Sequence, residues 1–331
     1  MSNLLPPSAI AGKPVNPVGF GMMNLTLSGT VSTDDAIACL KEAVNNGANF
    51  WNGALFYGRP DSNSLVLLKE YFTKYPEDAS KIFLSVKGAY DAPNRVATCD
   101  EASIREAVDT ALHQLGGTHA IDLFECARID PKVPVETMVH TLASLIKEGK
   151  IGSYGLSEVN AKTIRRAHAV HPCAGVEVEI SLFSRDALAP GGVIDTCREL
   201  GIPVIGYSVL DRGWLTGQLK KRSDLAKDDR RHYYPRFQPE AFEHNVKLAQ
   251  EVENVAKQKG VTPAQVAIAW VRQLGVLAIP GATKATRVKE NCASKDVELT
   301  DSEMATLREI IDKAGVVGHR YPAAYQALLD G

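Results

Sequence analysis

Residues 98–127 read TCDEASIREAVDTALHQLGGTHAIDLFECA, and the order of signals within them decides the fold. Thr98, Cys99, Asp100 and Glu101 have the form of a capping box, in which a hydroxyl and a carboxyl satisfy free amides at a helix start. Ile104, Ala107, Val108, Ala111, Leu112 and Leu115 then recur at helical spacing, which predicts one apolar face. Gly116-Gly117 stops the helix. Residues 121–127 follow as a short apolar run, the pattern of a strand covered on both faces. A capped helix thus feeds a buried strand.

The same alternation extends in both directions. Candidate strands lie at 18–21, 49–52, 82–87, 121–127, 151–157, 175–180, 203–207 and 276–279. Thr262-Pro263-Ala264-Gln265 is another helix start, with proline at the first helical position. Alternating strands and helices imply parallel pairing and right-handed crossovers. Eight units in 331 residues fit a closed (β/α)8 TIM barrel better than an open sheet. The competing doubly wound dinucleotide fold needs a glycine-rich turn after its first strand. Here Gly19-Phe20-Gly21 runs on to Asn24 where the third glycine belongs. The expected organisation is a single barrel domain, 1–331, with a C-terminal tail over the barrel mouth. A long charged segment, 208–240, follows the seventh strand and carries Lys220, Lys221, Arg222, Asp228, Asp229, Arg230 and Arg231. At the C-terminal face it reads either as a lid or as a solvated loop.

Composition narrows the function. The chain is 45% hydrophobic and 23% charged, with a formal net charge of -2. That charge gives no electrostatic reason to expect nucleic acid or an acidic membrane as partner. No apolar run is long enough to span a bilayer, and the N-terminus lacks the basic and apolar segments of a secretory signal. The six cysteines are scattered without a CxxC pair, as in a reduced, cytoplasmic protein. The eight histidines form neither HExxH nor a Cys/His cluster, so no metal site is expected.

Catalytic groups in such a barrel come from the C-terminal ends of the strands. Trp51-Asn52 and Tyr57-Gly58 follow the second strand; Lys87 ends the third. A phenol titrates near ~10, and a neighbouring ammonium lowers that value, so Tyr57 and Lys87 together can form a general acid. Taken singly, such a lysine is more often a rim charge and such a tyrosine more often core. Trp51 is equally readable as a substrate wall or as barrel packing. Glu125 and Glu177 read as rim charges, although Glu125 shares strand parity with Ala127 and could approach the site from one layer deeper.

From Gly21 to about Ile310 the chain resembles the aldo-keto reductases. The resemblance is carried by Gly21-Met22-Met23, Asn49-Phe50-Trp51-Asn52 with Tyr57-Gly58, and Lys87. It continues through Asp122-Leu123-Phe124, Arg128-Ile129-Asp130-Pro131, Glu148-Gly149-Lys150-Ile151 and Gly155-Leu156-Ser157. It ends with Tyr207-Ser208-Val209-Leu210-Asp211-Arg212-Gly213 and Ile279-Pro280-Gly281 running to Glu290-Asn291. It implies reduction of a small aldehyde with NADPH. Tyr57 would be the general acid and Lys87 would tune it, with Asn52 beside them. Gly21 and Met22 would border the cofactor. Ser157 and Glu177 would hold the nicotinamide amide, Glu177 standing where glutamine is usual. Tyr207 would stack on the ring, and Ser208, Leu210, Arg212 and Gly213 would line the pyrophosphate. Gly281, Lys284, Arg287, Glu290 and Asn291 would hold the adenosine end. Trp51, Ala127 and Arg128 would face the substrate.

Two positions depart from the family's Asp, Tyr, Lys, His set: Asn52 replaces the aspartate and Ala127 the histidine. Asn52 can accept a hydrogen bond but cannot neutralise Lys87. Lys87 is therefore expected to be under-compensated, favouring the phenolate of Tyr57. Ala127 removes a donor to the substrate carbonyl and opens space. The stretches around Tyr57 and Ala127 are most similar to fungal pyridoxal reductases, which implies reduction of pyridoxal to pyridoxine. A broad-range aldehyde or ketone reductase is an alternative. So is an NADPH-binding regulatory partner similar to potassium-channel β subunits, although retention of Tyr57 and Lys87 speaks for an enzyme.

Overall fold

The computed structural model describes residues 5–326, 329 and 331. Eight parallel strands follow one another around a single sheet in chain order. They are β1 (Phe20–Gly21), β2 (Phe50–Ala54), β3 (Phe83–Gly88), β4 (Leu123–Cys126), β5 (Ser153–Ser157), β6 (Val176–Glu179), β7 (Val204–Tyr207) and β8 (Val276–Ala278). Each falls within or beside a run read from the sequence. The first and last strands meet through bridges from Val18 to Ala278 and from Gly21 to Gly281, with the Gly19 amide donating to the Ala278 carbonyl at 2.8 Å. Glycine is needed at that seam. A Cβ on Gly21 would lie 2.9 Å from the Ile279 carbonyl oxygen, and one on Gly281 would lie 3.1 Å from that of Gly21.

Apart from one short turn of helix at Met23–Thr26, the α-helices between the strands are α1 (Thr33–Asn45), α2 (Ser64–Lys74), α3 (Glu101–Leu115), α4 (Val135–Lys147), α5 (Ala161–Val170), α6 (Val193–Leu200), α7 (Pro239–Lys259) and α8 (Pro263–Arg272), and α9 (Ala285–Cys292) follows β8. A last long helix, α10 (Asp301–Ala314), precedes the tail. The α8 start has both halves of its capping box. The α3 start differs from expectation: its cap is Asp100, which accepts from the Ser103 amide, and not Thr98. The Thr98 amide is already engaged by the Ala89 carbonyl. A small hairpin of Tyr90–Asp91 with Val96–Ala97 holds the chain extended up to that point. Gly116 ends the helix in the left-handed region at φ 59°.

Side chains alternate inward and outward along each strand. Phe50, Phe83, Leu123, Ile205, Leu277 and Ile279 fill the barrel floor together with Ile10 and Val15. Two residues further along the strands the filling becomes polar: Asn52, Ser85, Glu125 and Glu177 are all buried. The barrel is therefore an apolar plug carrying a buried polar layer, with the strand ends above it.

Segment 208–240 is built of short helical turns and is fastened to the barrel. Arg236 is buried and donates to Asp211 at 2.7 Å, to Ser184 at 2.7 Å and to the Phe183 carbonyl at 2.9 Å. Trp214 packs on Phe237 and Phe242. The segment is thus more than a solvated loop, although Lys220 and Lys221 are exposed. Beyond α10, Asn245 holds Val317 through both backbone groups. Arg320 then pairs with Glu158 at 3.4 Å and Glu179 at 3.7 Å. Tyr207 ends β7 and Glu158 follows β5, so the tail crosses the C-terminal mouth as expected. Among the described residues, no helix is long and apolar enough to cross a membrane, and no group of three or more potential ligands could hold a metal. The six cysteines are free and buried.

Candidate active site

β2 and β3 run in parallel with Asn52 beside Ser85 and Ala54 beside Lys87. This register brings Asn52 and Lys87 to one side of the barrel interior. The chain leaving β2 turns back at 55–58, with Gly58 at φ 113° and the Thr26 hydroxyl donating to the Tyr57 carbonyl at 2.6 Å. That turn sets Tyr57 beside Lys87, whose Nζ lies 5.3 Å from the tyrosine ring centroid. Tyr57 is partly exposed at the mouth, whereas Lys87 is 3% exposed.

The charge balance differs from the sequence expectation. Lys87 Nζ donates to Asn52 Oδ1 and also to Glu177 Oε1, the latter at 2.8 Å. Asn52 Nδ2 donates to Glu177 Oε2 at 2.7 Å and to Ser85 Oγ at 3.0 Å. Lys87 is therefore compensated, by a carboxylate from across the barrel. Burial is the largest single influence and opposes its charge, but Glu177 first, with Tyr57 and Glu125, together hold the ammonium above its ordinary pKa. With that charge offset, Lys87 does not drive Tyr57 to the phenolate. Burial raises the Tyr57 pKa, and the lowering effect of Lys87 is smaller. Both carboxylate oxygens of Glu177 are engaged, each by one donor, which sets this residue in the acid–base group.

Glu125 lies in the same layer, fully buried, and neither of its oxygens has a hydrogen-bond partner among the described residues. Burial first, and the nearby Glu177 second, push its pKa well above the carboxylate range. Sequence parity had placed it one layer below Ala127, and that is where it sits.

Trp51 does not face the mouth. Its ring is fully buried against Tyr71 and Phe72, and its indole N–H donates to the Ala48 carbonyl at 2.8 Å. The strand's alternation turns it outward to the helices, so it is packing and not a substrate wall. The Met22 side chain is likewise core, and only its backbone is near the strand ends. Ala127 is buried at the end of β4, with its amide on the Gly88 carbonyl. Arg128 beside it is partly exposed, and its charge acts on Tyr57.

A second constellation lies on the side of β5 to β8. Ser157 is buried at the end of β5. Tyr207 is partly buried at the end of β7, its hydroxyl 3.2 Å from that of Tyr321 in the tail. Ser208, Arg212 and Gly213 have φ of 53°, 54° and 99°, giving the chain beyond β7 a sharp turn. Leu210 lies within it. Arg212 is fastened to Glu179 by contacts of 2.8 and 3.2 Å and packs over Tyr321. Beyond Gly281, Lys284 caps α9 with its side chain exposed, and Arg287 pairs with Glu290. Glu290 Oε1 is buried without a partner and Asn291 is buried beside it in sequence. The residues proposed from sequence thus divide into an acid–base group at β2–β4 and β6, and a phosphate-compatible border at β7–β8. Sequence reasoning missed Arg320 and Tyr321. Their signal, an arginine–tyrosine pair in a tail, has no meaning until the tail is placed.

The Aldo/keto reductase family model matches residues 17–312. The chain is 36% identical over 330 residues to "Probable pyridoxal reductase 2" of Schizosaccharomyces pombe, covering 97% of this chain and 98% of that protein. It is 34% identical over 336 residues to "Aldo-keto reductase str7" of Strobilurus tenacellus, covering 98% of each. The solved structure of the glycerol dehydrogenase AKR11B4 from Gluconobacter oxydans has the same fold, with a TM-score of 0.84 at 24% identity over 96% of this chain and 98% of that one. The chain belongs to the aldo/keto reductase family and is an oxidoreductase acting on the CH–OH/carbonyl couple.

Proposed function

We propose that this protein reduces a small aldehyde to the alcohol with NADPH, that the preferred substrate is pyridoxal, and that residues 1–331 act as one catalytic unit. The observation that carries the reading is the juxtaposition of Tyr57, protonated and partly exposed, with the charged Lys87 at the barrel mouth. The cofactor site is compatible with the residues present. The unpartnered Glu290 Oε1 is an acceptor that a ribose hydroxyl or an adenine amine would satisfy. Lys284 and Arg287 at the start of α9 place positive charge where helix amides already favour phosphate. Ser157 and Tyr207 would border the nicotinamide, and the turn from Ser208 to Gly213 would border the pyrophosphate.

NADPH supplies hydride to the carbonyl carbon when bound. Tyr57 donates its hydroxyl proton to the carbonyl oxygen, and the new O–H completes the alcohol. Lys87 stabilises the phenolate left behind, which a proton from solvent then neutralises through the partly open mouth. Ala127 supplies no donor to the carbonyl, so a substrate with its own adjacent hydroxyl has an advantage. Pyridoxal has one, ortho to its aldehyde, and the S. pombe relative's name points to the same substrate. The test is NADPH consumption with pyridoxal against simple aromatic aldehydes. The expected result is higher kcat/KM for pyridoxal. Equal or lower values would remove pyridoxal, and absence of turnover with every aldehyde would remove the reductase reading.

A further inference from the structure

Lys87, Asn52 and Glu177 form a closed ring of three hydrogen bonds inside the barrel, each member 2–3% exposed and each from a different strand. The ammonium touches the amide and the carboxylate, and the amide touches the carboxylate. One positive and one negative charge share the ring. Glu177 has no other ion-pair partner among the described residues, and neither has Lys87. The ring needs one carboxylate, but its geometry does not require that carboxylate at position 177. If position 52 held the acid and position 177 the amide, the count of charges and hydrogen bonds would be unchanged. The carboxylate at 52 would accept from Lys87, and the amide at 177 would donate across the same gap. By contrast, either substitution alone breaks the balance: two carboxylates on one lysine, or a buried ammonium with none.

We propose that Glu177 is a positioning residue for the acid pair, acting on Tyr57 through Lys87, and that Asn52 and Glu177 are a carboxamide–carboxylate pair whose charge can be exchanged across the barrel. This rests on Tyr57 being the proton donor. The titratable groups facing the ring are Tyr57 from the turn after β2, Arg128 from the loop after β4, and Glu125 from β4. Glu125 is the one other carboxyl group among them; burial and the Glu177 charge both favour its protonated form, which leaves burial alone to do so in Glu177→Gln.

The experiment is a four-member cycle: wild type, Glu177→Gln, Asn52→Asp and the double variant. Three quantities are read: the pH profile of kcat/KM with an aldehyde the wild type reduces, NADPH affinity by fluorescence, and thermal stability without cofactor. Removing a negative charge makes it easier for Tyr57 or Lys87 to lose a proton. In Glu177→Gln the alkaline limb therefore moves to lower pH by about one unit or more, and kcat falls at least about tenfold. In Asn52→Asp the limb moves to higher pH. The double variant returns the limb towards the wild-type position and recovers most of kcat, with NADPH affinity changed little throughout. Melting temperature drops in each single variant and is recovered in the double. An unshifted limb in Glu177→Gln, or a double variant no better than the worse single, overturns the proposal. So does a limb that moves in Glu125→Gln as it does in Glu177→Gln. If no aldehyde is reduced by the wild type, the functional reading fails, while the stability cycle still reports whether the charge is exchangeable.

Discussion

Glu125 stands against Gly155 on the neighbouring strand: a Cβ at position 155 would come within 2.8 Å of Glu125 Oε1. The glycine is what leaves room for a carboxyl group in the middle of the barrel. That group is buried without partners and holds its proton well above the ordinary carboxylate range, mainly through desolvation. A raised folded-state pKa means the folded protein binds more protons than the unfolded chain. The associated stability is present in full below the unfolded value near ~4.3 and is lost as pH rises towards the folded value. Thermal melts of wild type and Glu125→Gln across pH 5–8 test this. The amide cannot titrate, so the variant's advantage should grow with pH, by up to about 1.4 kcal/mol per pH unit where Glu125 alone titrates. A pH-independent difference would mean that Glu125 ionises normally.

Tyr57→Phe removes the transferable proton and little else. Turnover should fall by about 10²–10⁴-fold with NADPH affinity retained. Single-turnover reduction and fluorescence titration check the two halves of that statement. A variant with near-normal turnover would place the donor elsewhere, with Arg128 or water.

Lys284 and Arg287 flank the start of α9, and both are exposed. Replacing both with alanine should weaken NADPH by roughly ten- to a hundredfold for each charge-assisted bond lost, at about 1.5–3 kcal/mol per bond, and should leave NADH nearly unaffected. Dissociation constants for both cofactors decide it: equal losses for NADPH and NADH would mean the two side chains do not read the 2′-phosphate.

Ala127 leaves a carbonyl oxygen one donor short. Loss of one such donor costs ~10²–10³-fold in rate. Pyridoxal should therefore react much faster than an analogue whose ring hydroxyl is methylated, and Ala127→His should narrow the gap. The comparison uses kcat/KM for both substrates on both proteins. If the methylated analogue reacts equally well on the wild type, substrate-supplied hydrogen bonding is not what compensates Ala127.

The barrel was readable because its signals are local. Apolar periodicity, the Thr262–Gln265 cap and the Gly116 stop each depend on residues a turn apart, and the eight strands lie where those patterns put them. Tyr57 and Lys87 were readable as a pair because adjacent parallel strands fix their separation. Other readings failed where a local pattern had a non-local competitor. Thr98 lost its place as a helix cap to a hairpin contact with Ala89. Trp51 followed the strand's alternation outward onto Tyr71 and Phe72. Asn52 looked like a missing charge beside Lys87, because the carboxylate that replaces it sits 125 residues away on β6. Sequence determined which residues alternate, where helices start and stop, and that an acid and an ammonium share the barrel mouth. Only closure of the barrel decided which carboxylate meets Lys87, that Glu125 is left without a partner, and that Arg320 and Tyr321 return to the mouth. Those outcomes depend on distances across the ring of strands, which no spacing along the chain encodes.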